Sequence, residues 1–193
     1  MPRHYALFVN PVRVKGVDIA FAIAKIRSDI PFIFLEGWPL GQDQFSQLRK
    51  KGESLGNVTV VRRTSDMRAY YRQARILMVP SIWEEAWGRV VTEAQINGIP
   101  VLASDRGGLP ESVGQGGILV DPSADIEKWV EGLSRLWDDE TAYKTFSKLA
   151  LKHANRREIQ PQSIVEQFVE IVKSTIARKR AYPTEDSTES FSS

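Results

Sequence analysis

Three features of this chain predict an α/β fold, a doubly wound parallel sheet of six strands with helices on both faces. Apolar runs of strand length alternate with segments of helical period from residue 5 to residue 121. The runs are almost continuously apolar, as strands covered on both faces are. Each is separated from the next by enough chain for a crossover helix, which parallel neighbours require.

The elements follow in order. "YALFVN" at 5–10 is the first strand, and "GVDIAFAIAKIRS" at 16–28 a helix with Ile19, Ile23 and Ile26 on one face. "PFIFLE" at 31–36 is the second strand, followed by a polar helix over 42–55. "NVTVVR" at 57–62 is the third strand, and "DMRAYYRQA" at 66–74 a short helix with Asp66 as its cap. "RILMVP" at 75–80 is the fourth strand. "GRVVTEAQING" at 88–98 is helical and ends at Gly98, which suits the residue just past a helix. "PVLAS" at 100–104 and "GILVD" at 117–121 complete the six. Helices then dominate, at 125–137, 140–153 and 161–180, the last with a stripe of Ile164, Phe168, Ile171 and Val172. Residues 1–180 are expected to form one domain, and the polar tail 181–193 to be disordered.

With 193 residues, 42% apolar and 26% charged, the chain has the balance of an ordinary globular domain. A net charge of only +2 gives no electrostatic reason to expect nucleic acid or a membrane surface as partner. No apolar run is long enough for a membrane span. There is no cysteine, so disulfides, thiolate catalysis and cysteine metal sites are excluded. No secretory leader is read at the start, and the expectation is a cytoplasmic protein.

Ligands of doubly wound sheets lie at the carboxyl ends of the strands. The loops to inspect are therefore 10–16, 36–41, 62–66, 80–88 and 104–110. In the first, Asn10 ends a strand, and Arg13 and Lys15 precede a helix that begins near Gly16. Free amides and the positive end of a helix dipole beside two cations suit a phosphate; two solvated basic side chains are the plainer reading. No G-x-G-x-x-G is present, so dinucleotide binding lacks its main support. In "PSIWEEAWGRVVTEA" at 80–94, Glu85 falls on a loop and Glu93 about a turn and a half into the next helix, with Trp87 and Gly88 between. Two carboxylates so placed could accept bonds from the hydroxyls of one extended ligand, or be solvated surface charges. A metal site is disfavoured, because no histidine or further acidic cluster is near. In "SDRGGLPESVGQGG" at 104–117, Gly107 and Gly108 follow a strand and Pro110 opens a turn of helix. The glycine pair suits a close backbone approach to a ligand, or simply a tight loop.

Together, "KG" at 15–16, "PSIWEEAWGRVVTEA" at 80–94, "GIPVLASDRGGLPE" at 98–111 and "GGILVDP" at 116–122 resemble one known pattern. It is that of the C-terminal, donor-binding domain of GT-B retaining glycosyltransferases of family 4, the glycosyl transferases group 1. The resemblance covers about residues 5–153 and is specific as a combination, although each piece alone is weak. It implies one half of a GT-B fold and a metal-independent hexosyltransferase-like activity with no cofactor beyond the nucleotide sugar itself. It implies that Glu85 contacts donor-sugar hydroxyls, Glu93 the ribose, Lys15 the diphosphate, and the amides of Trp87, Gly88, Arg89, Val90 and Val91 the sugar and phosphate oxygens. Gly107, Gly108 and Asn10 complete the implied donor site, and the loop 62–67 would read the base. The family's usual Gly-Arg is replaced here by Val9-Asn10-Pro11, which leaves Arg13 to take the arginine's place beside the phosphate and in the catalytic set with Glu85 and Lys15. The acceptor would bind a separate N-terminal domain or acceptor subunit, so the chain alone is expected to be inactive. Alternatives are a non-catalytic nucleotide-sugar-binding subunit and an epimerase of the same fold.

Overall fold

The computed structural model describes residues 3–181. Six parallel strands, β1 (Tyr5–Val9), β2 (Phe32–Leu35), β3 (Val58–Val61), β4 (Ala74–Val79), β5 (Val101–Ser104) and β6 (Gly117–Val120), form one sheet in the order β3-β2-β1-β4-β5-β6. The order reverses between β1 and β4, so the loops leaving these two strands diverge and open a crevice at their carboxyl ends.

Period-two alternation inside the apolar runs sends neighbouring side chains to opposite faces. Ala6 and Phe8 of β1 join a core with Phe21, Phe34, Trp129 and Leu133; Tyr5 and Leu7 join another with Leu77, Val91, Val101 and Leu109. The first core is covered by α1 (Val17–Ile26), α2 (Gln42–Leu55) and α6 (Ile126–Trp137). The second is covered by α3 (Arg68–Gln73), α4 (Arg89–Ile96) and α5 (Leu109–Val113). Each fully buried large side chain in these layers contributes about 1.5–3 kcal/mol of transfer free energy. Helix α7 (Glu140–Ala154) buries Ala150 and Ala154 and ends the first compact unit, Met1–Ala154.

The second unit, Asn155–Ser193, contains α8 (Pro161–Ala181). The expected domain 1–180 thus includes the first unit and much of the second. On α8, Ile164, Phe168 and Ile171 are more than half exposed, at 51%, 65% and 63%. All of the tail 181–193 but its first residue lies outside the described residues.

Two local expectations are corrected. The inward face of α1 is Val17, Ala20, Phe21, Ile23 and Ala24, while Ile26 is half exposed, because the helix ends there and turns away from the sheet. The cap of α3 is Met67 rather than Asp66; Asp66 still takes the Arg68 amide at 3.1 Å, from one residue further back. Gly98 follows α4 with φ of 64°, the left-handed conformation predicted for it.

One buried carboxylate braces the carboxyl edge. Glu36, at the end of β2, accepts from the amides of Leu40 at 2.6 Å and Arg63 at 3.1 Å, and from the Arg62 guanidinium at 3.1 Å. Arg62 in turn lies 3.7 Å from the centre of the Phe45 ring. Burial alone would raise the Glu36 pKa; the two amides and Arg62 outweigh it and hold the carboxyl below the usual range. A depressed folded pKa stabilises the fold above the unfolded value of about 4.3, and that contribution is lost as pH falls through the lower folded value. Glu36→Gln is therefore expected to cost about 2 kcal/mol at pH 7. In urea titrations the gap to the wild type should stay constant down to about pH 5.5 and shrink below about pH 4.3. A gap that persists or grows at pH 3 would contradict this account.

Candidate functional site

The loop after β1 and the loop after β4 are built against each other. Residues Arg13–Lys15 form a single turn of 3-10 helix, and Gly16 follows at φ of 79°. The Val14 carbonyl accepts from the amides of Ile82 and Trp83, both at 3.1 Å. Gly16 lies against the Pro80 carbonyl so closely that a Cβ there would overlap it. The "KG" and "PS" segments are thus two sides of one packed junction, and the glycine permits it.

That junction sets Lys15 beside Glu85. Lys15 Nζ donates to Glu85 Oε1, and the two side chains are only 13% and 14% exposed. Ser81 Oγ donates to the same oxygen at 2.9 Å. The Lys15 ammonium also lies 4.8 Å from the centre of the Trp38 ring. The loop is supported from beneath by the glycine pair. Gly108 donates its amide to the Glu85 carbonyl at 2.6 Å, and a Cβ on Gly107 would stand 2.7 Å from that oxygen. Gly107 and Gly108 therefore pack on the backbone at Glu85 and Ala86, and the Gly108 amide is already used.

A cleft of about 390 Å³ opens above these residues, lined by Asn10, Lys15, Glu85, Trp87, Gly88, Arg89 and Val90 among those singled out in the sequence. Phe8, Val9, Trp38, Val79 and Ala86 complete its walls. Gly88, at φ of 75°, starts α4, and the Trp87 indole is pinned to the first turn by its Nε1–H to Thr92 Oγ1 at 3.0 Å. The Val91 amide is spent on the Gly88 carbonyl and its side chain is fully buried. The Arg89 and Val90 amides belong to the helix N-terminus, where no intrahelical acceptor exists. Asn10 takes φ of 67°, rare for a residue with a side chain, and its Oδ1 accepts from the Trp38 amide.

Glu93 lies one turn along α4 from Arg89. Its carboxylate is 39% exposed, accepts from the Tyr71 hydroxyl at 2.7 Å, and is 3.8 Å from the Arg89 guanidinium. Burial, and secondarily Glu93, raise the Tyr71 pKa, so the phenol remains a donor to the carboxylate. Glu84 is 74% exposed and 3.7 Å from Arg106. Arg13 is exposed on its turn and is not among the residues lining the cleft. Sequence reading missed Trp38 and Tyr71; Trp38 sits in one of the loops marked for inspection, whereas nothing in the pattern around Tyr71 distinguishes it from core. Among the described residues, no group of three or more histidine and acidic side chains could hold a metal ion, and no helix is long and apolar enough to cross a membrane.

The family model for glycosyl transferases group 1 matches residues 5–153, spanning both loops of the junction and the cleft. The chain belongs to that family. Among curated relatives of this group 1 glycosyltransferase chain is the D-inositol 3-phosphate glycosyltransferase of Corynebacterium urealyticum, 29% identical over 187 residues, covering 90% of the chain and 43% of the relative. The enzyme of the same name from Corynebacterium kroppenstedtii is 40% identical over 93 residues, covering 47% of the chain and 20% of the relative. The chain thus spans less than half the length of these relatives. In fold it is similar to Anabaena HepE in complex with UDP, with a TM-score of 0.76 at 22% identity over 89% of the chain and 49% of HepE. The C-terminal domain of the group 1 protein LpcC from Francisella tularensis gives a TM-score of 0.68 at 20% identity, over 83% of the chain and 89% of that domain. The six-stranded sheet has the Rossmann-like fold of one GT-B domain.

Proposed function

We propose that the cleft binds a nucleoside diphosphate sugar and that the chain is the donor-binding half of a retaining, metal-independent glycosyltransferase. The observation that carries this reading is the convergence of Lys15, Glu85 and the N-terminus of α4 on one cleft, with Glu93 one helical turn beyond. Lys15 and the first-turn amides supply positive charge for a diphosphate leaving group. Both bonds that Glu85 accepts go to Oε1, which leaves Oε2 to take a sugar hydroxyl. Glu93, oriented by Tyr71, accepts from the ribose hydroxyls. The glycosidic bond breaks toward the diphosphate, and the acceptor hydroxyl attacks from the face the leaving group departs. Its proton passes to the leaving phosphate oxygen. The acceptor is held by a separate domain or subunit, and the isolated chain binds donor without appreciable transfer. HepE, similar in fold, is known in complex with UDP and with UDP-glucose, which supports a nucleotide sugar as the ligand here.

A calorimetric panel of UDP, GDP, ADP and their sugars, with and without EDTA, tests the reading. Glu93→Ala is expected to weaken every nucleotide about tenfold, the loss of one charge-assisted bond. Glu85→Gln, which retains a partner for Ser81, should weaken only the sugar-bearing ligands. Equal affinity of Glu93→Ala and wild type for the preferred nucleotide would remove the ribose assignment. Clear turnover by the purified chain would remove the claim that it is half an enzyme.

A further inference from the structure

Arg89 is a cation where helix electrostatics disfavour one. It is the first residue of α4, and a positive charge there opposes the macrodipole. Its side chain is 90% exposed, so packing of its stem does not explain it either. It nevertheless lines the cleft, and Lys15 is the other cation that does so. The Lys15 charge is already met by Glu85. Among the described residues, the ion pair of Arg89 is an exposed contact with Glu93 at 3.8 Å, and Glu93 keeps its Tyr71 bond if Arg89 moves away. With each cation set against a carboxylate, the four side chains are together neutral, whereas a nucleoside diphosphate brings at least two negative charges. Arg89 can meet one of them without leaving a buried carboxylate unpartnered. Its planar fork of donors also suits bidentate contact with a phosphate. Arg13 is exposed and off the cleft wall.

We propose that Arg89, rather than Arg13, supplies the second positive charge on the diphosphate of the bound donor. The inference rests on the donor-cleft reading above. The test titrates the whole chain with UDP, GDP and ADP and with uridine, guanosine and adenosine, for wild type, Arg89→Gln, Arg89→Lys and Arg13→Gln. Arg89→Gln is expected to weaken the preferred diphosphate at least about tenfold. It should change the matching nucleoside less than about twofold, since a nucleoside carries no charge for the guanidinium to meet. Part of the salt dependence of binding should disappear with it, and Arg89→Lys should restore part of the affinity. The melting temperature of Arg89→Gln should be unchanged or higher, because a charge misaligned with the helix is removed. Arg13→Gln should leave affinity unchanged. Unaltered diphosphate affinity in Arg89→Gln overturns the inference, as does an equal loss for the nucleoside, which would place Arg89 on the ribose side. A wild type that binds none of these ligands overturns the donor reading itself, and this inference with it.

Discussion

Gly16→Ala is expected to destabilise the chain by about 2–5 kcal/mol, the sum of two independent penalties. An alanine at φ of 79° costs roughly 1–2 kcal/mol against a glycine. The added Cβ also overlaps the Pro80 carbonyl, a backbone atom at the end of β4 that cannot swing aside. Forcing such an overlap costs about 1–3 kcal/mol or more. Against a domain stability of about 5–15 kcal/mol this is a large fraction, and at roughly 2–4 °C per kcal/mol the melting temperature should fall by about 10 °C. Gly56 is the control: it has the same φ of 79°, but a Cβ there meets nothing within 4 Å. Gly56→Ala should show the conformational penalty alone, about 1–2 kcal/mol. If both variants lost the same stability in urea titrations, the packed junction between the β1 and β4 loops would not be what Gly16 serves.

The second large effect is on binding. Lys15→Met is expected to weaken the preferred nucleoside diphosphate on the order of 100-fold, with less change for the nucleoside, since a part-buried charge partner is removed. It also leaves Glu85, 14% exposed, with Ser81 as its remaining partner, so stability should drop as well. The two effects separate in a double variant. Lys15→Met with Glu85→Gln removes the unpaired carboxylate and should recover stability while affinity stays low. The coupling between the two positions, read from the full cycle, reports their pairing directly. A Lys15→Met protein that keeps its affinity within about threefold would falsify the diphosphate role.

Much of this was legible from residue types. The continuous apolar runs of β1, β4 and β5 announced strands covered on both faces, and each is buried on both. The spacing of Glu85 and Glu93 around Trp87-Gly88 was by itself open to a solvated face; with "KG" before and "GG" after it carried the resemblance to the group 1 family, whose model matches residues 5–153. The ends of helices were less legible: Ile26 shares the residue type and spacing of the inward positions of α1 and still lies half exposed, because the chain turns away there.

The sequence by itself determined the fold class, the loops that meet at the carboxyl edge, and the residue types available there. Those follow from local periodicity and from glycine and carboxylate chemistry, which a linear pattern records. Tertiary structure alone decided which groups touch. It paired Lys15 with Glu85 across 70 positions and brought the Tyr71 hydroxyl to Glu93. It set the glycine pair against the Glu85 backbone, and it put Arg89, not Arg13, on the cleft wall. The physical reason is that these contacts span separate crossover units: their geometry is fixed by strand order and helix packing, and no local periodicity encodes it.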